Sequence, residues 1–265
     1  MVNETHGLQN GVGGISVLEK STNFLTRLSY LREGNSIWGN TLNTLEGLIK
    51  SKGGKVAIVG GFIRDLYFIK DEFSPRDLDL VVDDIYVLEL ESQVNQLCIG
   101  KTSLGGYRLV VNNCSVDIWR VQDTVSFAIE NHLFPSFANL PRLTFLNIES
   151  IVVELQEDKL VKIYDNGFSK AINSSILDIN YELNSDPQRN IMKSLMHSKS
   201  LKMRIGKSLA KYIVNHSKTI SLIALKEAQE KYYGLQSLKE FSIESSISKL
   251  QKALEQNNYL PVCVS

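Results

Sequence analysis

The sequence predicts an α/β (α+β) protein in which a mixed sheet with its helices comes first and an all-helical region follows. Short apolar runs that are rich in β-branched residues and bounded by glycine or polar residues are typical of buried strands. They occur at residues 55–59, 78–82, 107–112, 115–121, 148–155 and 160–164. Beyond residue 165 these runs stop, and apolar residues recur at helical spacing, as in Ile191 and Leu195. We therefore expect a mixed head domain of residues 1–165 and a helical domain of residues 166–265.

Helices are expected in both parts of the chain. Apolar residues at helical spacing predict helices over residues 15–31 and 41–51, each followed by a glycine, and a further helix near Thr124. In the second part, Asp186 and Pro187 predict the start of a helix. An aspartate can accept the unpaired amide hydrogens of a first helical turn, and a proline at the first helical position lacks an amide that would have no partner there.

The composition fits a globular protein whose charge is unevenly distributed. Of the 265 residues, 43% are hydrophobic and 22% are charged, which is enough apolar material for a sizeable core. The 29 basic and 29 acidic side chains balance, but residues 186–265 carry 13 basic against 6 acidic side chains. A polyanion such as RNA should therefore prefer this last part of the chain.

Several classes of protein and site are excluded by the pattern of the sequence. The three cysteines and four histidines are scattered, without the spacing of a disulfide scaffold or a zinc site. No apolar run approaches the ~20 residues that span a bilayer, so we expect no membrane partner and a cytoplasmic location. The tripeptides at residues 100–102 and 206–208 look like the end of a phosphate loop, but Asn95 and Leu201 stand where that loop needs its first glycine.

One constellation of residues indicates chemistry. Gly60 and Gly61 follow the strand at residues 55–59, and Asp77 and Asp79 lie at the start of the next strand. Alternate residues of a strand project to the same face, so the two carboxylates lie side by side, which is costly unless a cation joins them. Mg²⁺ is bound in this way by one or two carboxylates together with substrate phosphates. The glycine pair would let backbone amides approach a triphosphate closely, and Arg64 could add a charge-assisted contact.

At these residues the chain resembles the class II tRNA nucleotidyltransferase and bacterial poly(A) polymerase family, whose head carries an apolar strand, Gly-Gly-x-Val-Arg-Asp and then Lys/Arg-Asp-x-Asp. The resemblance implies a polymerase-β-like nucleotidyltransferase fold. It implies a two-metal Mg²⁺ site at Asp77 and Asp79, which would activate a 3′-hydroxyl and stabilise the departing pyrophosphate, and a third acidic residue at Asp117. It also implies that the incoming triphosphate is held by Gly60, Gly61, Arg64 and Asp65.

Two further segments are similar to the family, with departures. The segment from Pro141 to Asn147 is similar to Arg-Arg-Asp-Phe-Thr-Ile-Asn, and it keeps Arg142 and Asn147 as nucleotide-binding candidates but has Leu143 in place of the aspartate. Residues 186–189 are similar to Glu-Asp-x-x-Arg, which implies that Asp186 and Arg189 face the base. Residues 203–211 resemble a family helix that begins Glu-Arg, but Met203 replaces the glutamate, so both ATP and CTP remain candidate substrates.

Basic residues of the last part predict an RNA surface. Spacings of three and four residues place basic side chains along helix faces, and we expect contacts to RNA from Lys193, Arg204, Lys207 and Lys211. The resulting hypothesis is a Mg²⁺-dependent enzyme that adds AMP or CMP to an RNA 3′ end, with tRNA as the acceptor. Two alternatives stay open: a toxin-like or defence nucleotidyltransferase that modifies tRNA or a protein hydroxyl, and a non-catalytic nucleotide- or RNA-binding module.

Overall fold

The computed structural model describes residues 14–34, 36–68, 75–84, 98–102, 106–130, 132–183, 186–233, 242–256 and 258–264. The first two helices are α1, Gly14–Glu33, and α2, Ile37–Ser51. Both helices confirm the predictions made from the apolar spacing of the sequence. Helix α2 begins four residues earlier than predicted because the Ser36 hydroxyl accepts a hydrogen bond from the Gly39 amide at 3.0 Å and so caps the helix.

A seven-stranded mixed sheet forms the centre of the head. Its strands in chain order are β1 Lys55–Val59, β2 Leu78–Asp83, β3 Cys98–Lys101, β4 Tyr107–Val111, β5 Cys114–Arg120, β6 Ile151–Leu155 and β7 Val161–Asp165. In space the order is β3-β4-β5-β2-β1-β6-β7. The pair of β2 with β5 is parallel and the other neighbouring pairs are antiparallel.

The strand predictions need four corrections. Strand β3 was not predicted, and the strand expected at residues 148–155 begins at Ile151, because a 3-10 turn occupies Asn147–Glu149. The hairpin between β4 and β5 turns at Asn112 and Asn113, with φ of 50° and 62°, rather than at residues 113–114. The last part of the chain is not entirely helical, because two short strands, β8 Ile176–Leu177 and β9 Arg204–Ile205, pair in parallel.

The remaining helices lie on both sides of the sheet and after it. They are α3 Gly61–Phe68, α4 Val125–Ile129, α5 Phe168–Ser174, α6 Pro187–Ser200, α7 Lys207–His216, α8 Leu222–Tyr233 and α9 Ile243–Leu254. None of the helices in the described ranges is both long and apolar enough to cross a bilayer.

The sheet buries its two faces in different cores. Val56 and Ile58 of β1 pack with residues of α1, α2 and α3, whereas Ala57 and Val59 pack on the opposite face against residues such as Phe127. This is the alternation that a strand covered on both faces requires. The face that holds Ala57 and Val59 is the one that carries the candidate carboxylates.

A third core joins the helical part to the head. It is formed by residues of α6, α7, α8 and α9, and it includes Phe145, Leu146 and Ile148 from the segment before β6. Helix α5 is shared, since Phe168 and Ile172 pack into the head core and Ala171 packs into the helical one. The predicted division at residue 165 stays a prediction.

Polar side chains fix the junction between the two parts. The Asn147 amide donates to the Ile176 carbonyl at 3.0 Å, and its oxygen accepts from the Asp178 amide at 3.0 Å. The Asp178 carboxylate in turn accepts from the backbone amide of Leu209 at 2.7 Å, near the start of α7. A Cβ at Gly206 would collide with this carboxylate, so glycine is required there.

Replacing Asp178 should therefore weaken the junction. We expect Asp178→Ala to lower the free energy of unfolding by about 1–2 kcal/mol, the usual cost of losing a helix cap, as measured by urea denaturation. The control is Glu227→Ala, an exposed acidic residue of α8. A variant as stable as the wild type would show that Asp178 does not hold α7 to the head.

Candidate active site

Three aspartates lie on one face at the middle of the sheet. Asp79 of β2 and Asp117 of β5 are partners in the parallel register, and Asp77 precedes Asp79 by two residues. Their neighbours Leu78 and Leu80 are fully buried on the other face. The alternation predicted from the sequence therefore places the Asp77 and Asp79 side chains on one face, and the pairing of β2 with β5 adds Asp117.

The carboxylates raise the energy of one another's charged forms. Burial, together with the charges of Asp77 and Asp117, raises the pKa of Asp79 to about 7, whereas Lys193 and Arg76 act in the opposite direction. Near neutral pH the charged form of Asp79 is thus disfavoured by its surroundings. A cation placed among these oxygens would remove that penalty.

Two of the three aspartates have arginine partners. Arg76 Nη2 lies 2.8 Å from Asp77 Oδ2, and Arg108 makes a bidentate pair with Asp117, with distances of 2.7 and 2.6 Å. Both arginines are well exposed, at 70% and 48% of their side-chain surface. Because the arginine side of each pair faces water, solvent screens both pairs, and a divalent ion could compete with them.

The donor set fits Mg²⁺. No group of three or more His, Cys, Asp and Glu side chains is arranged to hold a metal ion within the described ranges. Mg²⁺ does not need such a cage, because it usually takes one or two carboxylates and fills its other positions with water and substrate phosphates. Asp77 and Asp79 could supply these carboxylates, since the alternation of β2 places both on one sheet face beside Asp117.

The glycine turn lies directly beside Asp79. Gly60 has φ of +69°, and a Cβ there would lie 3.3 Å from Asp79 Oδ2. A Cβ at Gly61, where α3 begins, would lie 3.2 Å from Arg64 Nη2. A side chain at Gly60 would therefore be strained and crowd the carboxylate, which explains this residue type at the end of β1.

Arg64 is held by three neighbours rather than pointing into solvent. Its Nε donates to Asp65 Oδ1 at 2.8 Å, and its Nη1 lies 3.1 Å from Glu149 Oε1 and 3.0 Å from His197 Nε2. Burial raises the pKa of Asp65, although Arg64 opposes this effect. Two predicted nucleotide-binding residues, Arg64 and Asp65, thus lie together.

Glu149 is a site residue that the sequence did not identify. It is buried, and its Oε2 accepts from Lys193 Nζ at 2.6 Å while its Oε1 binds Arg64. Burial alone would raise the pKa of Glu149, but Lys193, Arg64 and His197 lower it to about 2. The one available signal was an acidic residue near the start of the apolar stretch at residues 148–155, which also contains Glu154.

The other predicted nucleotide-binding residues lie in different surroundings. Arg142 is exposed on a 3-10 turn, and Asn147 makes the junction hydrogen bonds described above. The Asp186 carboxylate accepts from the Arg189 amide at 2.9 Å and so caps α6 as predicted. The Arg189 guanidinium lies 5.1 Å from the centre of the Tyr232 ring.

The predicted RNA-binding residues do not form one continuous stripe. Lys207 and Lys211 are exposed on α7, but Arg204 lies in β9 before that helix and donates to the Ser174 carbonyl at 3.0 Å. The expectation that Arg204 shares a helix face with these lysines is therefore wrong. Lys193 lies on α6 and contacts Glu149.

Comparison with known proteins identifies the fold. Neither a protein-family model nor a curated protein matches the sequence. Among solved structures, the Thermotoga maritima CCA-adding enzyme complexed with tRNA is similar, with a TM-score of 0.62 at 18% identity. Structures of CCA-adding enzyme with ATP and with CTP give TM-scores of 0.58 at 20% identity and 0.59 at 18% identity. The chain shares their fold.

The comparison confirms the tRNA nucleotidyltransferase-like fold that the motifs implied. Each superposition covers 86% of this chain, including parts of the head and of the helical region. The chain spans about half the length of these enzymes, 53% of the first and 54% of the others. At this level of identity the likeness establishes the fold, and the activity has to be argued from the site.

The partly buried His197 should make the fold sensitive to acid. Burial and Arg64 lower the pKa of His197 from 6.5 to about 3, so between these values the unfolded chain binds a proton that the folded chain does not. His197 has no effect on stability above pH 6.5, and below it the folded state loses stability by up to about 1.4 kcal/mol per pH unit.

We expect His197→Gln to reduce this loss. The measurement is urea denaturation from about pH 7 to about pH 5, where an ordinary histidine titrates. His132→Gln, at an exposed position, is the matched control and should keep the wild-type pH dependence. Equal pH dependence in wild type and His197→Gln would contradict the assignment of His197 as a neutral group of the folded state.

Proposed function

We propose that the protein is a Mg²⁺-dependent nucleotidyltransferase that adds AMP or CMP from a nucleoside triphosphate to the 3′ end of an RNA, with tRNA as the acceptor. The observation that carries the proposal is the placement of Asp77, Asp79 and Asp117 on one sheet face beside the Gly60 turn. This placement occurs in a fold shared with CCA-adding enzymes. The enzyme class, the substrates and the partners are all part of the proposal.

The carboxylates account for the chemical step. Asp77 and Asp79 would hold Mg²⁺, which when bound supplies a positive charge that favours the 3′-hydroxyl as a nucleophile and stabilises the departing pyrophosphate. In this reaction the 3′-oxygen forms a bond to the α-phosphorus as the bond to pyrophosphate breaks. Asp117 completes the acidic set and keeps the site selective for a cation.

The glycine turn and the start of α6 account for nucleotide binding. At the beginning of α3, Gly60 and Gly61 leave room for a phosphate to approach the backbone, with Arg64 and Asp65 next to them. Asp186 and Arg189 lie at the start of α6, where the Tyr232 ring adds an aromatic surface for the base. Arg142 and Asn147 remain candidates by resemblance alone.

The basic part of the chain accounts for the acceptor. Residues 186–265 carry 13 basic against 6 acidic side chains, and Lys207 and Lys211 are exposed on α7. Among the similar structures, one CCA-adding enzyme is in complex with tRNA and others with ATP or CTP. These ligands support tRNA, ATP and CTP as candidates for this chain, and an RNA substrate fits the cytoplasmic location predicted from the sequence.

Loss of one carboxylate should abolish transfer. Asp77→Asn and Asp79→Asn should lower the transfer rate by about a thousandfold or more, because metal binding supplies several kcal/mol to the transition state. The assay is extension of total RNA with each of four labelled nucleoside triphosphates and Mg²⁺. Asp84→Asn, at an exposed position after β2, is the control. Near wild-type transfer by either site variant would contradict the metal assignment.

The same experiment separates the alternatives. Label found in protein rather than RNA would favour a toxin-like enzyme that modifies a hydroxyl group. Nucleotide binding without label in RNA or protein would favour a non-catalytic binding module. Thermal stabilisation by Mg²⁺ with ATP, present in the wild type and absent in Asp79→Asn, would support the metal site independently of turnover.

The exposed lysines of α7 should affect RNA binding and not nucleotide binding. Lys207→Ala combined with Lys211→Ala should lower the slope of log affinity against log salt by about 1.5, because each phosphate contact contributes about 0.7–0.9. The control pair is Lys218→Ala with Lys226→Ala, at other exposed positions. A slope equal to that of the wild type would place the acceptor elsewhere.

A further inference from the structure

A buried carboxylate joins the head to the helical region beside the candidate active site. Glu149 lies on the 3-10 turn before β6, its Oε1 is 3.1 Å from Arg64 Nη1 of α3, and its Oε2 is 2.6 Å from Lys193 Nζ of α6. We call these three residues the Glu149 bridge. Through it, a side chain of the helical region is fixed relative to the glycine turn.

The donors of Arg64 are largely used within the protein. Its Nε and Nη2 both lie near Asp65 Oδ1, at 2.8 and 2.7 Å, and its Nη1 lies near both Glu149 and His197. A guanidinium has five N–H donors, and three of those of Arg64 are engaged in hydrogen bonds. The Arg64 side chain is only 12% exposed, which leaves it little surface for a ligand.

Lys193, in contrast to Arg64, keeps most of its donors unused by the described residues. An ammonium group has three N–H donors, and the contact with Glu149 uses one of them. The Lys193 side chain is 24% exposed, twice the exposed fraction of Arg64. Lys193 is thus held in place by Glu149 while donors remain that a phosphate could accept from.

The Glu149 bridge is continuous with the acidic site. Arg64 Nη2 lies 3.2 Å from where a Cβ of Gly61 would be, and a Cβ of Gly60 would lie 3.3 Å from Asp79 Oδ2. Arg64 in turn contacts Glu149, and Glu149 contacts Lys193. A phosphate chain that entered at the glycine turn beside Asp79 would therefore lie next to the Glu149 bridge.

We propose that Lys193 binds the triphosphate of the incoming nucleotide and that Glu149 and Arg64 are positioning residues that hold it there. This rests on the proposed function for the location of the nucleotide beside Asp79. It differs from the RNA contact that helix spacing predicted for Lys193. It also extends the contribution of α6 from the base, next to Asp186 and Arg189, to the phosphates of the nucleotide.

The test compares binding of ATP and AMP with Mg²⁺ by calorimetry. Lys193→Met should raise the dissociation constant of ATP by about 10- to 100-fold, the loss typical of a charge-assisted hydrogen bond, and change that of AMP far less. Lys193→Arg should restore part of the affinity, and Lys226→Met, at an exposed position of α8, should leave it unchanged. An unchanged ATP dissociation constant in Lys193→Met would overturn the proposal.

A double variant separates ligand binding from a structural role. Lys193→Met leaves Glu149 with one cation fewer, which can destabilise the protein. Glu149→Gln combined with Lys193→Met removes both charges, so thermal stability should recover relative to Lys193→Met while ATP affinity stays low. If ATP affinity recovered together with stability, Lys193 would be structural and the proposal would be wrong.

The proposal and the proposed function can fail separately. If the wild type transfers nucleotides and Lys193→Met lowers the salt slope of RNA binding without affecting ATP, Lys193 contacts RNA and only this inference fails. If the wild type binds ATP through Lys193 but transfers nothing to RNA or protein, the inference stands and the transferase assignment fails.

Discussion

The parallel pairing of β2 with β5 sets Asp79 beside Asp117, and the candidate site depends on this register. The neighbouring aspartates disfavour the charged form of Asp79, which opposes the pairing. The opposite face of the sheet favours the pairing, because Leu80 and Ile118 are fully buried there. Each such side chain contributes about 1.5–3 kcal/mol, so the buried residues along both strands outweigh the repulsion. A slip by one residue would turn the aspartates into the core.

Glu149 fixes the position of the helical region relative to the head. It is buried with a cation on each carboxylate oxygen, one from α3 and one from α6. Removing one partner of such a pair commonly costs about 3–5 kcal/mol, because a buried charge is left without compensation. The orientation of α6 relative to the glycine turn is therefore not set by apolar packing alone, which tolerates small shifts. The ion pair of Glu149 with Lys193, with its 2.6 Å contact, restricts the orientation of α6 further.

Local patterns were sufficient for the parts of the site that lie close together in the chain. The strand, glycine turn and helix at residues 55–68 and the carboxylates of β2 follow from alternation and from the conformational freedom of glycine, and the fold is confirmed. Glu149 could not be found in this way, because its partners are 85 and 44 residues distant and only the packed structure joins them. The same holds for Arg108, because its contact with Asp117 arises only when β4 pairs with β5. The short strand β9 was missed since two residues carry no periodicity.

The distribution of charge fits the proposed function, in which both a triphosphate and an RNA have to be bound. The head supplies the carboxylates, which would repel RNA and triphosphate alike, and the excess of basic residues lies in the helical region. Within that region the lysines are in two situations: Lys193 is partly buried against Glu149, whereas Lys207 and Lys211 are exposed. A partly buried, fixed ammonium suits a compact phosphate chain that must be aligned for reaction, because little ordering remains to be done on binding. Exposed lysines suit an RNA backbone, which needs attraction over a long surface and little precise geometry. Under the proposed function, the same residue type would therefore support two kinds of recognition, and its burial would decide which one.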